Sequence, residues 1–176
     1  GVDSAFTALT ADGGHDAAEA IMTTYTKSKE AVVSRDGFTV GGMAKGAGMI
    51  HPDLATMLAI VTTDYPLEAG SVLDVLRPAV DSTFNAISID GDCSTNDTVI
   101  LLANGVSGAK RDDDAFAAAL NEVCADLARQ VVADGEGMTV LAEINVTGAV
   151  DNEQAKAIAR RIATSPLVKT ALFGHD

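Results

Sequence analysis

From Asp112 to Ala133 the chain places Phe116, Leu120, Val123, Leu127 and Val131 at three- to four-residue steps. That spacing puts one apolar stripe along a helix of about six turns, and such a stripe has to be buried against another layer of structure. The acidic run Asp112-Asp113-Asp114 just before it suits a solvated helix start, where negative charge opposes the helix dipole favourably. Gly135 and Gly137 end the pattern.

Around this helix the periodicity predicts alternating blocks. His15–Thr24 reads as a short helix with Ala17, Ala20, Ile21 and Thr24 on one face. Ala31–Ser34 and Phe38–Met43 read as strands joined by the turn-forming Arg35-Asp36-Gly37. Thr56–Thr63 is a continuous apolar run, the pattern of a strand buried on both faces. Leu67–Ala86 has helical spacing, which Pro78 should kink or split. Asp97–Leu102 is a further strand. Val140–Val150 alternates like a half-buried one, and Asn152–Ala163 is a helix with Ala155, Ile158, Ala159 and Ile162 inward. The fold class expected is α/β or α+β, layered.

Charge narrows function. Twelve basic against 25 acidic residues leave a net charge of −13, which argues against nucleic acid, whose phosphates need clustered Lys and Arg. No apolar run reaches the roughly 20 residues of a membrane span, and no secretory leader pattern opens the chain, so no membrane partner and a cytoplasmic location are expected. Cys93 and Cys124, without Cys-x-x-Cys spacing, are read as reduced thiols.

Several familiar signatures fail. In G-G-M-A-K-G-A-G, Gly41–Gly48, Lys45 precedes glycine and no hydroxyl follows, unlike a phosphate loop. Asp90-Gly91-Asp92 with Ser94, Asn96 and Asp97 resembles the start of a calcium loop, but Thr95 and Leu101 stand where Gly and Glu are required. A turn held by side-chain-to-backbone hydrogen bonds is the better reading. His15, His51 and His175 share no ligand spacing, so no metal or other cofactor is expected.

Thr56 is the remaining candidate. A hydroxyl needs a base, and an N-terminal α-amine with a pKa of about 7.7–8.0 can serve. An internal threonine gains one only if the Ala55-Thr56 bond is cut, for example by attack of its own Oγ on the preceding carbonyl. On these residues alone, a polar residue opening an apolar strand is the better account of Thr56.

The motifs around it change that reading. A-I-M-T-T (Ala20–Thr24), T-V-G-G-M-A-K-G-A-G-M (Thr39–Met49), L-A-T-M-L (Leu54–Leu58), I-D-G-D-C-S-T-N-D-T-V (Ile89–Val99), D-G-E-G (Asp134–Gly137), V-T-G-A (Val146–Ala149) and L-V-K-T-A-L-F-G-H-D (Leu167–Asp176) occur in order. Together they resemble the ornithine acetyltransferase family, the glutamate N-acetyltransferases of arginine biosynthesis. The resemblance implies a two-lobe α/β fold with the nucleophile at the junction. It also implies self-cleavage between Ala55 and Thr56, which makes residues 1–55 the end of an α chain and residues 56–176 the start of a β chain.

The resemblance further implies acetyl transfer from N-acetylornithine to glutamate through acetyl-Thr56, with acetyl-CoA as a second donor in bifunctional members. Thr56 is then the nucleophile. Lys45 matches the lysine that meets a substrate carboxylate, Glu136 the acidic substrate ligand, and Thr23 a substrate-contacting threonine. The partners implied are small-molecule substrates, paired α and β chains and a higher oligomer.

Two departures stand out: Tyr25 where the family has Asp, and Met138-Thr139-Val140 after D-G-E-G where the family carries a lysine. The family's oxyanion Thr-Gly pair and C-terminal site residues have no counterpart in these 176 residues, so the chain by itself is expected to be inactive. The rival readings are a related self-cleaving amidase or aminopeptidase, and a noncatalytic structural fragment with an intact Ala55-Thr56 bond.

Overall fold

The computed structural model describes residues 1–48, 50, 57–92 and 94–176. Its centre is one four-stranded sheet: β1 (Lys29–Arg35), β2 (Phe38–Lys45), β3 (Leu58–Thr63) and β4 (Thr98–Ala103), in that spatial order. β1, β2 and β3 pair antiparallel, while β3 and β4 pair parallel. A tight turn at Asp36-Gly37, both with positive φ, closes the β1–β2 hairpin where the sequence predicts it. The parallel pair needs a crossover, and α3 (Val72–Ser82) supplies it. The fold is therefore α+β with a mixed sheet.

The long helix α4 (Asp113–Ala133) packs on β1 and β2. All five stripe residues are fully buried. Asp112 caps the helix by accepting the Ala115 N–H at 3.0 Å. The acidic start also makes a tertiary contact: the Tyr65 hydroxyl donates to Asp113 at 2.8 Å and accepts the Asp112 N–H at 2.8 Å. Gly42 on β2 gives α4 its close approach, because a Cβ there would lie 3.0 Å from Leu127 Cδ1 and 3.3 Å from the Ile60 carbonyl. Cys124 is a buried thiol, pushed up to about 12 by that burial.

At one end of the core Phe116 stacks on Tyr65, ring centroids 4.5 Å apart, and Phe38 meets Tyr65 edge-on at 4.9 Å. In a chain with 4% aromatic residues this cluster carries much of the packing. Phe116→Ala should lower the unfolding free energy by about 3–5 kcal/mol, read from the urea midpoint at unchanged slope.

The structure corrects several expectations. β3 is not buried on both faces: Ala59, Val61 and Thr63 are buried under α4's side of the sheet, while Thr62 is exposed. The first helix over these positions, α2 (Gly14–Ala20), ends four residues before Thr24. Ala18 is its buried residue, and Ala20 is exposed. β-branched Thr23 and Thr24 favour leaving the helix, and the chain there bends towards β1. Pro78 does not split α3, which continues through it to Ser82; a separate 3₁₀ turn at Phe84–Ala86 follows.

Val140–Val150 forms no strand. Its alternation is real, but no described segment pairs with its backbone, and Leu141 is 45% exposed. Asn152–Ala163 is α5 as predicted, yet none of its residues is buried. Ala155 and Ala159 line a cleft of about 670 Å³ towards α4, and Ile158 and Ile162 are exposed. Helices α1 (Val2–Thr7) and α6 (Pro166–Gly174) were not predicted by periodicity.

Candidate active site

Of the predicted site residues, Lys45 ends β2 beside the starts of β3 and β4, and the Glu136 backbone bonds to Ala47 just beyond it. Thr56 and Ala55 fall outside the described residues, as do His51 and Cys93. Lys45, the last residue of β2, is half-buried and pairs in register with Leu58, two residues after Thr56. On the opposite side of β3, Asp97 Oδ1 accepts the Met57 N–H at 2.6 Å, and the Thr98 N–H donates to the Met57 carbonyl at 3.0 Å. Burial raises the Asp97 pKa, partly offset by the Met57 N–H and the positive charge of Lys45.

Backbone geometry favours glycine at position 46, and Gly48 lies against Glu136. Gly46 has φ +155°, and a Cβ there would meet Ile50 Cδ1 at 3.3 Å and Met57 Cβ at 3.5 Å. At Gly48 a Cβ would sit 3.6 Å from Glu136 Cδ, so the Glu136 carboxylate lies directly over this glycine. The Glu136 N–H donates to the Ala47 carbonyl at 2.9 Å and fixes the D-G-E-G turn against the strand end. Lys45 and Glu136 are thereby attached to the same three-residue stretch. Ile50 itself is anchored too: the Ile50 N–H and the Asp92 N–H both donate to Asp90 Oδ1, at 3.0 and 3.1 Å. Asp90-Gly91-Asp92 is thus the hydrogen-bonded turn that its sequence suggests.

Thr23 is exposed, three residues before Thr26. Its segment is tied to the site through Asp134, whose Oδ2 accepts the Thr26 N–H at 3.3 Å and whose Oδ1 accepts the Thr26 hydroxyl. Asp134 also pairs with Lys29 at 2.6 Å, with both side chains almost fully buried. The Lys29 ammonium donates to the Lys27 carbonyl at 3.2 Å and stands 5.0 Å from the centre of the Tyr25 ring. Tyr25, the departure noted in the sequence, is therefore part of this latch. No motif spacing pointed to Lys29 or Thr26, and Asp97 stood out only within a calcium-loop pattern that fails; the long-range pairing reveals the contacts of all three.

The two segments on either side of Ala55-Thr56 build one core. β1 and β2 come from the first, β3, β4, α3 and α4 from the second, and the β2–β3 ladder joins them from Val40↔Thr63 to Lys45↔Leu58. Gln130 of α4 adds two bonds to Glu30, accepting its N–H at 3.2 Å and donating to its carbonyl at 2.8 Å. A cut between Ala55 and Thr56 leaves this ladder and these bonds in place.

Comparison with known proteins bears on the family and the fold. The family model described as the ArgJ family matches residues 1–176. The arginine biosynthesis bifunctional protein ArgJ of Thermobifida fusca is 48% identical over 176 residues, which are all of this chain and 46% of that protein. The protein of the same name from Ruegeria pomeroyi is 51% identical over 174 residues, covering 96% of this chain and 43% of its own length. A crystal structure of the Bacillus halodurans arginine biosynthesis bifunctional protein ArgJ superposes with a TM-score of 0.63 at 41% identity, covering 66% of this chain and 58% of that one. The chain spans just under half the length of the curated relatives it matches. With the whole chain matched by the family model and the fold shared with a solved member, the chain belongs to the ArgJ family.

Proposed function

We propose that the protein containing this chain is an acetyltransferase of arginine biosynthesis that moves an acetyl group from N-acetylornithine to glutamate through Thr56. The supporting observation is the convergence of Lys45, Glu136 and the backbone of Met57 at one end of the sheet, in a chain of the ArgJ family. In this reading the Ala55-Thr56 bond is cut first, freeing the Thr56 α-amine as general base.

The α-amine then takes the hydroxyl proton as Oγ attacks the acetyl carbonyl of N-acetylornithine. A C–O bond forms, the amide C–N bond breaks, and the proton leaves with the ornithine amine. The glutamate amine next attacks the ester carbonyl. Its C–N bond forms, the ester C–O bond breaks, and the hydroxyl regains its proton. Lys45 meets the substrate α-carboxylate, Glu136 a substrate ammonium, and Thr23 a further substrate contact. Acetyl-CoA would serve as a second donor only if the enzyme is of the bifunctional kind. The reaction runs in the cytoplasm, with the two cleavage products paired and assembled further. No helix among the described residues is long and apolar enough to cross a membrane.

The test uses the full-length protein. Incubated with N-acetylornithine alone, it should carry an acetyl adduct on the peptide that begins at Thr56; added glutamate should discharge the adduct as N-acetylglutamate. Acetate release at the same rate with or without glutamate would show a hydrolase instead. An uncut chain that never acquires the adduct would show a structural fragment.

A further inference from the structure

Met57 is held from every side that the described residues supply. Its N–H goes to the Asp97 carboxylate at 2.6 Å and its carbonyl accepts from Thr98 at 3.0 Å, so one two-residue step entering β4 binds both of its backbone polar groups. Its side chain packs against the site of a missing Cβ at Gly46. On the far side of β3, Lys45 pairs with the next residue, Leu58. Asp97 is half-buried, and its carboxylate is kept there at a desolvation cost that the Met57 amide and Lys45 partly offset.

The Met57 N–H that Asp97 binds belongs to the peptide bond joining Met57 to Thr56. A group that fixes this amide restrains the chain one bond beyond the reacting residue. We propose that Asp97 is a positioning residue for the Thr56 hydroxyl, acting through the Met57 amide, both when the hydroxyl attacks the Ala55 carbonyl and when it attacks substrate. This inference rests on Thr56 being the nucleophile. The contact on which this role is argued is with the Met57 amide, so its effect is on the geometry of attack, and a displacement of about 1 Å in such geometry costs on the order of 10² in rate.

The experiment compares Asp97→Ala, Asp97→Asn and Thr56→Ala in the full-length protein. It follows cleavage by intact mass and measures kcat and KM per cleaved chain. Asp97→Ala should slow cleavage and lower kcat by about 10²-fold, with KM for both substrates nearly unchanged. Asp97→Asn should recover most of that loss, because its amide oxygen accepts the same N–H. The kcat–KM split separates this role from a structural one, since a variant that is only less stable loses active protein and not turnover per folded, cleaved chain.

Wild-type kcat in Asp97→Ala overturns the proposal, and so does a loss carried by KM. If Asp97→Ala yields no folded protein, Asp97→Asn decides: turnover within about tenfold of wild type supports the role, and a collapse to the level of Thr56→Ala overturns it. Should Thr56→Ala itself still cleave and turn over, the nucleophile reading fails. If Thr56→Ala is dead and Asp97→Ala behaves as wild type, the positioning role alone fails.

Discussion

In the full-length protein, Thr56→Ala should leave a single uncut chain and reduce acetyl transfer by on the order of 10⁶-fold, the scale reached when an activated nucleophile is removed outright. The loss is large because, in the proposed mechanism, one hydroxyl performs two jobs. Without Oγ there is no attack on the Ala55 carbonyl, so the α-amine that would act as base is never released. Without Oγ there is also no acceptor for the acetyl group. Thr56→Ser retains the hydroxyl and should retain both cleavage and acetyl transfer, though more slowly, because serine lacks the methyl group that restricts χ1. Denaturing electrophoresis separates the outcomes: two pieces for wild type and Thr56→Ser, one for Thr56→Ala. Under native conditions all three should elute alike, because the β2–β3 ladder and the Gln130–Glu30 bonds join the segments on either side of the cut.

What could be read from the sequence follows from which interactions are local. The stripe of α4 and the β1–β2 hairpin depend on spacing and a turn, and both appear where the residues place them. Val140–Val150 has the same kind of signal without the outcome, since alternation specifies a face but not a pairing partner. α5 shows the equivalent gap for helices: its apolar residues are regularly spaced, and among the described residues nothing covers Ile158 and Ile162. At the site, Lys45 and Glu136 came from resemblance to a family, because a single lysine after a strand or a single glutamate between glycines has no chemistry visible in its spacing. Their common attachment at Ala47 and Gly48 spans about ninety residues of chain and emerges only from the fold.

The latch beneath the site predicts an ordered set of stabilities. Lys29 is 2% exposed and its partner Asp134 11%. Asp134→Ala should destabilise the protein by about 3–5 kcal/mol, because it leaves a buried ammonium with one carbonyl and the Tyr25 ring as company. Lys29→Met should cost less: the Asp134 carboxylate keeps the Thr26 amide and hydroxyl. The double replacement Lys29→Met/Asp134→Leu should cost least, since apolar side chains of similar volume leave no unpaired charge behind.

Acid provides a separate check. Burial by itself would raise the Asp134 pKa, but Lys29 and the two Thr26 hydrogen bonds outweigh it and hold the pKa below the ordinary value. The unfolded chain therefore takes up the proton first as pH falls. The stabilisation is complete above the unfolded pKa of about 3.9 and is lost as pH drops through the lower folded value. Urea midpoints of wild type should decline across that window more steeply than those of Asp134→Asn, which has no proton to bind there. Equal slopes would mean that the ion pair does not hold the loop carrying Thr26 against the turn carrying Glu136, and the attachment of Thr23 to the site would then rest on something other than Asp134.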